Sequence, residues 1–348
     1  MFTVDHHVEG QAAVSIIVVF PSFPNQYVTA LIDSTSRLTV KYELILLVDS
    51  IDSEQNISQN LRAYLMGKPN LVKTRLVLMK KEDNRGLALG RNVGAVLAGS
   101  PILLFADDDT MILDDIAPLL ELLHANKCQG IQPLLVKLDL ETVDSAGDYI
   151  KKVDKNRYNP YCRSQGMCVS ELHDLKAEEI PYLRGAFMLI RKDALLGVGG
   201  FDSTFIFNYD DVDFGFRMTC AGYKLLFVPQ VKAVHKSSRT GSAMTDRLLR
   251  LSVLNTHAMY LKIAPYFLWP YIILAYFERS VFRYEYSKAK KGKTAFKSLI
   301  ADFFTMNKLF IARIEQAHVH REILRKHGVV GRQKLDDMAS GKRFLYKE

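Results

Sequence analysis

Residues 103 to 110 read LLFADDDT, an apolar run that ends directly at three carboxylates, Asp107, Asp108 and Asp109. Adjacent like charges repel and stay hydrated, so one interpretation is a solvated turn in which Asp108 or Asp109 caps a helix beginning near Asp114. The other is a divalent cation site, because a hard ion such as Mg²⁺ or Mn²⁺ prefers carboxylate oxygens. Taken alone, the triplet slightly favours the helix cap.

The first third of the chain alternates between β-rich runs and segments of helical length. The runs are VSIIVVF (14–20), ELILLVD (43–49), TRLVLMK (74–80) and PILLFAD (101–107), and the helical segments include 25–37, 53–66 and 86–98. Apolar runs bounded by polar residues are typical of strands buried on both faces, and the alternation predicts a doubly wound, mostly parallel sheet. Such sheets bind ligands beyond the carboxyl ends of their strands, where Asp49 and the acidic triplet lie. This placement favours the cation over the cap.

Composition limits the class of protein. The 348 residues are 48% hydrophobic, which suits one large domain or a catalytic domain with an appendage. A formal charge of +8 favours anionic partners, whether nucleic acid, nucleotide, phospholipid or lipid diphosphate. The cysteines form no CxxC pair and the amino terminus has no basic start followed by an apolar stretch. We therefore expect reduced thiols, no zinc site, no export and a cytoplasmic setting.

The stretch EDNRGLALGRNVGAVLAGS (82–100) is rich in glycine but is not a phosphate loop of a known order. It has neither GxGxxG after a strand nor GxxxxGK[ST], so a Rossmann dinucleotide site and a P-loop are both unsupported. Glycines four residues apart fit a helix that packs closely on the sheet. Asn84, Arg85 and Arg91 cluster near the start of that helix, where free backbone N–H groups and positive side chains can bind a phosphate or a base.

A second group of acids, Asp210, Asp211 and Asp213, opens a helix predicted to run to about Ala221. Acids in the first turn of a helix interact favourably with its dipole, which explains one or two of the three better than all of them. Aromatic side chains surround the group: Phe205, Phe207, Tyr209 and Phe214. By excluding water they would raise the pKa of a carboxylate toward the value that a general base needs.

Seven segments resemble, in order and spacing, the inverting family-two glycosyltransferases of the GT-A fold: VSIIVVF, LILLVDS, NRGLALGRNVGA, LLFADDDT, LRGAFMLIRKDALLGVGGFD, YDDVDFGFR and VPQVKAVH. Within that family the sequence is most similar to rhamnosyltransferase-like enzymes, which carry GGFD, an acidic helix start and then a histidine. The resemblance covers about residues 12–240. It implies an α/β catalytic domain with a Rossmann-like, mostly parallel sheet, followed by a C-terminal helical extension.

The resemblance also implies two sets of binding residues. The nucleotide-binding set is Asp49, Asn84, Arg85, Arg91, Asp107 and Asp108. The metal-binding set, for Mg²⁺ or Mn²⁺, is Asp107, Asp109 and His235. Ser50 follows Asp49 where many relatives have a second acid, which leaves the preferred base open. His235 is equally compatible with capping a buried strand end.

For catalysis, Asp211 matches the general base of the family, and Asp210 stands where glutamate is usual. A sugar hydroxyl ionises far above neutral pH, so a base must take its proton during attack, while a metal ion stabilises the leaving diphosphate. We therefore expect an inverting transfer from a nucleotide-diphosphate sugar to a hydroxyl of a glycan or lipid-diphosphate-linked acceptor, with no nucleic-acid partner. The alternatives are a nucleotidyltransferase and a catalytically silent nucleotide-sugar-binding protein.

Residues 244–316 are predicted to be helical. The apolar stretch IAPYFLWPYIILAYF (263–277) contains two prolines and is shorter than the roughly 20 residues that span a bilayer, so we do not expect it to cross one. A buried helical hairpin is slightly favoured. Its tryptophan and tyrosines, with the five lysines of SKAKKGKTAFK (287–297), also fit peripheral contact with the inner face of the cell membrane. Residues 317–348 form a charged tail to which we assign no chemistry.

Overall fold

The computed structural model describes residues 2–5, 10–21, 25–49, 61, 64–79, 86–154, 157–236, 246–291, 296–326 and 332–340. The described strands are β1 (Phe2–Asp5), β2 (Val14–Phe20), β3 (Tyr42–Asp49), β4 (Leu71–Met79), β5 (Ile102–Asp107), β6 (Thr110–Ile112), β7 (Gly130–Val136), β8 (Val143–Ser145), β9 (Asp148–Asp154), β10 (Arg157–Cys162), β11 (Glu178–Glu179), β12 (Phe187–Arg191) and β13 (Leu225–His235). The described helices are α1 (Gln26–Ser34), α2 (Leu87–Leu97), α3 (Ala117–His124), α4 (Lys192–Gly197), α5 (Asp210–Cys220), α6 (Asp246–Ile263), α7 (Trp269–Lys291), α8 (Phe296–Lys326) and α9 (Arg332–Ala339).

A large sheet organises the first two thirds of the chain. Its strand order is β1-β4-β3-β2-β5-β12-β7-β13-β11, with β6 paired to β13 and β8 paired to β7. Strands β4, β3, β2 and β5 are parallel, and β12 inserts antiparallel between β5 and β7. Every residue of β2 is buried, as expected for a central strand covered on both faces. The predicted α/β, mostly parallel sheet is therefore confirmed.

Helix α2 packs directly on this sheet through two glycines. A Cβ atom at Gly94 would lie 2.3 Å from the side chain of Ile17, and one at Gly90 would lie 2.7 Å from Val19. Larger residues would push the helix away from β2, so the four-residue glycine spacing has the predicted packing role. Of the predicted helix at 53–66, only residues 61 and 64–65 are described as helical, and the rest lies outside the described residues.

The helix after the acidic triplet begins at Ala117, and no member of the triplet caps it. Asp115 accepts a hydrogen bond from the Ala117 N–H at 3.4 Å instead. Asp108 accepts from the Asn25 side chain at 3.0 Å, and Asn25 caps helix α1 by accepting from the Tyr27 N–H. The helix-cap interpretation of the triplet is therefore wrong, because the intervening strand β6 separates the triplet from the helix.

Helices α6, α7 and α8 form a bundle that packs against α5 and the β9–β10 hairpin through a hydrophobic cluster of its own. The stretch 263–277 contains the turn between α6 and α7 and the first turns of α7. Ile272 and Tyr276 are buried in this cluster, whereas Phe267 and Leu274 are 73% and 67% exposed. The stretch is thus a helical hairpin with one buried face and one exposed apolar face. None of the described helices has the length and hydrophobicity required to cross a bilayer.

Candidate active site

A cavity of about 780 Å³ opens at the carboxyl ends of the central strands. Its floor includes Asp107 at the end of β5 and His235 at the end of β13, and Asp210 and Asp211 enter from the first turn of α5. Pro160 to Cys162 of the β9–β10 hairpin and residues 205–209 line other parts of its wall. The chain therefore brings together acids that are a hundred residues apart in sequence, at the position predicted for a ligand.

Asp107, Asp109 and His235 form a cluster of potential metal ligands. One donor atom from each residue lies within 4.8 Å of the others. The pairing of β6 with β13 places His235 opposite Thr110, so the imidazole Nε2 comes to 3.5 Å from the Asp109 carboxylate. The two carboxylates are oxygen donors that suit Mn²⁺ or Mg²⁺, and the imidazole is a nitrogen donor of the kind that transition metals accept. Three protein ligands leave coordination positions for water or phosphate.

A buried carboxylate orients the imidazole of this cluster. The Nδ1 atom of His235 lies 2.8 Å from Asp144 of β8, whose side chain is fully buried. Burial lowers the pKa of His235, but the hydrogen bonds with Asp109 and Asp144 outweigh it and raise the pKa to about 10 in the absence of a cation. A cation bound by this imidazole would therefore have to displace one of its protons. Asp144 was not predicted, since VDS in a three-residue strand carries no recognisable motif.

Arg91 links the metal-ligand cluster to the acids of α5. Its buried guanidinium donates to Asp210 at 2.6 Å, to Asp107 at 2.9 Å and to the Gly185 carbonyl at 3.0 Å. Arg91 was predicted to face the nucleotide. It does line the cavity, but these hydrogen bonds go to acceptors of the protein itself. One cation thus holds two carboxylates from different elements in fixed positions, a geometry that the planar guanidinium favours.

The three acids at the start of α5 have different surroundings. Burial raises the pKa of Asp210, Arg91 opposes this, and Asp211 and Asp107 add to it, with a resulting pKa of about 6. Asp211 is the more exposed of the pair, and it accepts hydrogen bonds from the N–H groups of Gly185 at 2.9 Å and of its neighbour Val212 at 2.8 Å. These two bonds orient its carboxylate toward the cavity that it lines.

Asp213 points away from the cavity. It is fully buried and pairs with Arg217 at 3.0 Å and with Lys262 at 2.7 Å. Of the four aromatic residues predicted to surround the acids, Phe205, Phe207 and Tyr209 line the cavity. Phe214 does not, and its ring packs on Phe201 with centroids 4.5 Å apart. Of these acids, Asp210 and Asp211 therefore line the cavity, and Asp213 belongs to a buried ion-pair network.

Some predicted residues cannot be placed in the cavity. Asn84 and Arg85 lie outside the described residues. Asp49 ends β3 at the expected edge of the sheet, with only its backbone described. Conversely, Arg184 was not singled out, although it lines the cavity and lies 3.4 Å from buried Asp148. The sequence does hint at this role, because Arg184 lies in the LRGAF segment directly before the central strand β12.

Residues 17–245 match a family model described as Glycosyltransferase like family 2. This match spans well over half of the chain, and the chain belongs to that family. The predicted family is thus confirmed, and the large mostly parallel sheet is that of a GT-A fold.

Two rhamnosyltransferases are similar over short stretches. The chain is 36% identical over 63 residues to N-acetylglucosaminyl-diphospho-decaprenol L-rhamnosyltransferase of Mycobacterium tuberculosis, which is 18% of this chain and 20% of that protein. It is 27% identical over 77 residues to rhamnosyltransferase WbbL of Escherichia coli, covering 22% and 29% of the two chains. The alignments therefore span less than a third of either relative.

Among solved structures, the chain resembles GalNAc-T7 crystallised with UDP, GalNAc and Mn²⁺. The TM-score is 0.50 at 17% sequence identity, over 74% of this chain and 51% of that one. At this identity the likeness supports the GT-A fold alone.

Proposed function

We propose that the protein is an inverting glycosyltransferase that moves a sugar from a nucleotide-diphosphate donor to a hydroxyl of a glycan or lipid-diphosphate-linked acceptor. The observation that carries the proposal is that Asp107, His235 and Asp211 line one cavity large enough for such substrates. Membership of a glycosyltransferase family favours this reaction over nucleotidyl transfer. The similar mycobacterial protein has an N-acetylglucosaminyl-diphospho-decaprenol acceptor in its name, which supports a lipid-linked acceptor here.

Asp107, Asp109 and His235 would hold Mg²⁺ or Mn²⁺. A bound divalent cation supplies Lewis-acid stabilisation of the negative charge on the leaving nucleotide diphosphate. Arg91 holds Asp107 in place and, on its other edge, Asp210. The same guanidinium therefore sets the position of a cation ligand relative to the start of α5.

Asp211 is the proposed general base. Its carboxylate is accessible from the cavity and is oriented by two backbone N–H groups, one on each oxygen, so further lone pairs remain available to the acceptor hydroxyl. Taking that proton as the hydroxyl attacks makes a single in-line displacement feasible, and one displacement inverts the anomeric centre. Asp210 is buried beside Arg91 and keeps the start of α5 in position. It is less exposed to solvent than Asp211.

The proposal is tested by titrating the purified protein with a panel of nucleotide-diphosphate sugars in Mg²⁺ or Mn²⁺, using calorimetry, and by assigning the anomeric configuration of any product by NMR. We expect one donor to bind in a cation-dependent manner and its configuration to be inverted in the product. Retention of configuration would exclude the single displacement, and donor binding without any transfer would favour a catalytically silent binding protein.

We predict that Asp144→Asn weakens Mn²⁺ binding by about 10–100-fold, the usual cost of losing an outer partner of a metal-binding histidine. Asparagine keeps the shape of the side chain but removes the charge that fixes the imidazole of His235. Calorimetric titration with Mn²⁺ alone measures the effect. The matched control is Asp148→Asn, which alters an equally buried carboxylate next to Arg184. Equal affinity in the Asp144 variant and wild type would separate Asp144 from cation binding.

We further propose that the exposed apolar face of the C-terminal hairpin contacts the inner surface of the cell membrane. Tyr271 and Leu274 on α7 and Phe304 on α8 are each about two thirds exposed, at 66%, 67% and 67%. Large apolar side chains with this exposure on neighbouring helices favour an interaction surface, and the lysines within 287–297 supply charge for anionic lipids. The side chains of those lysines lie outside the described residues.

The protein is therefore expected to sediment with vesicles containing anionic phosphatidylserine and to be partly released by high salt, which screens the lysines. The double variant Tyr271→Ser and Leu274→Ser should lose most of this binding. Leu196→Ser removes a side chain that is 56% exposed on α4 and should bind as wild type does. If the double variant sediments normally, the exposed face is not the membrane contact.

A further inference from the structure

Residues 202–209 form the segment that leads into α5, and its last part lines the cavity. Asn208 and Tyr209 both adopt left-handed backbone conformations, with φ of 61° and 68°. Asparagine tolerates this conformation, but it is unfavourable for a bulky residue such as Tyr209 and persists there where surrounding contacts enforce it. Because Asp210 and Asp211 follow immediately, this turn sets the direction of both carboxylates.

The contacts that enforce the turn come from the C-terminal helices. Asn255 of α6 is fully buried, and its amide nitrogen donates to the carbonyl oxygens of Phe207 at 2.5 Å and Asn208 at 2.7 Å. A primary amide has two N–H donors and one acceptor, so a single asparagine can satisfy two adjacent carbonyls. Its own oxygen accepts from Arg313 of α8, which also donates to the carbonyl of Thr204.

A second residue of α6 contacts the start of the segment and the helix that follows it. The ammonium group of Lys262 lies 2.6 Å from Asp202, before the turn, and 2.7 Å from Asp213, after it. It also lies 4.4 Å from the ring centroid of Phe205 within the segment. All three charged side chains are buried, so removal of Lys262 would leave two buried carboxylates without this partner.

We propose that Asn255 is a positioning residue for the reaction and that the C-terminal helices complete the active site by holding residues 207 and 208 in the conformation that presents Asp211. The catalytic meaning of this role rests on the proposed function, whereas the structural role of Asn255 does not. The helical extension is then required for turnover and not only for attachment to a surface.

The experiment replaces Asn255 with Asp. Aspartate matches asparagine in size and still accepts from Arg313, but it turns an acceptor toward the carbonyls of Phe207 and Asn208. We expect faster amide hydrogen exchange, detected by mass spectrometry, in peptides spanning 204–213. We also expect kcat with the donor selected by the titration described above to fall on the order of 10²-fold, with a much smaller change in KM, as for a misplaced reacting group.

The matched control is Tyr276→Phe, which removes a buried hydrogen bond from the Tyr276 hydroxyl to the Met306 carbonyl in the same bundle and leaves Asn255 in place. It should show wild-type exchange in 204–213 and near-normal kcat. Asn255→Ser retains one donor and adds no charge, so its amide exchange in 204–213 and its kcat should lie between those of wild type and Asn255→Asp. This variant keeps the test possible if Asn255→Asp does not fold. Wild-type exchange in 204–213 for the serine variant, or an equal increase for Tyr276→Phe, would overturn the positioning role. Absence of transfer by the wild type would instead count against the proposed function, and the exchange data would still decide the role of Asn255.

Discussion

Replacement of Asp211 by Asn is expected to lower turnover by roughly 10²–10⁴-fold, the usual contribution of a general base. Donor affinity should stay near that of wild type, because the side chain keeps its size and Asp211 is not among the cation ligands. The measurement is the transfer rate together with donor affinity from calorimetry. Asp193→Asn is a suitable control, since Asp193 is 66% exposed on α4 and pairs with Arg191 outside the cavity.

Asp210→Asn should act differently from Asp211→Asn. It removes one of the two carboxylates that hold Arg91, so Asp107 and the donor site are expected to shift and donor affinity to fall along with turnover. If Asp211→Asn retains near-normal transfer while Asp210→Asn is inactive, the base is assigned to the wrong residue. If both variants retain transfer, the proposed mechanism is wrong.

The pKa of Asp210 adds a pH dependence. With a pKa raised from 3.8 to about 6, Asp210 becomes protonated and releases Arg91 as the pH falls below about 6, so turnover should decline there. Stability changes in the opposite direction. The folded state binds this proton more tightly than the unfolded chain, so the stabilising contribution is present below pH 3.8 and is lost as the pH rises through about 6. Asp210→Asn should abolish both effects, as measured by pH–rate profiles and by thermal unfolding over the same pH range.

The second large effect is expected at Asp109. Asp109→Asn should weaken Mn²⁺ binding by more than about 100-fold, because loss of a direct ligand exceeds the cost of losing an outer partner. Cation-dependent donor binding should disappear with it. Asparagine is preferable to alanine here, since the Asp109 side chain is only 11% exposed and contacts His235. Chelation of the wild-type protein with EDTA should reproduce the same loss of donor binding.

The control for Asp109 is Asp115→Asn, in the turn before α3, where the carboxylate hydrogen-bonds Thr39 outside the cavity. It should bind Mn²⁺ as wild type does. Thermal unfolding of both variants in EDTA would show whether the fold is intact. Unchanged Mn²⁺ affinity in Asp109→Asn would remove the acidic triplet from cation binding and leave its role unexplained.

Local patterns in the sequence were sufficient for the architecture. A run such as VSIIVVF is typical of a strand that is buried on both faces of a covered parallel sheet, and β2 is buried at every position. Since parallel strands end at one edge, the acids that follow β3 and β5 could be placed together without knowledge of any contact. The spacing of Gly90 and Gly94 likewise predicted close packing, because helical periodicity places residues four apart on one face.

Only the tertiary structure separated the surroundings of the three acids at the start of α5. Asp210, Asp211 and Asp213 are residues of one type within about one helical turn. Because successive residues of a helix point in different directions, Asp213 faces Lys262 and Asp211 faces the cavity. Arg91 and Asp144 acquire their roles through side-chain contacts with residues 119 and 91 positions away. Asn255 reaches back 47 and 48 residues to the turn before Asp210 and Asp211. Such contacts depend on how whole elements pack, and no local periodicity encodes that packing. The sequence by itself therefore determined the fold and the edge of the sheet that carries the site. Packing between distant elements determined the geometry of the site.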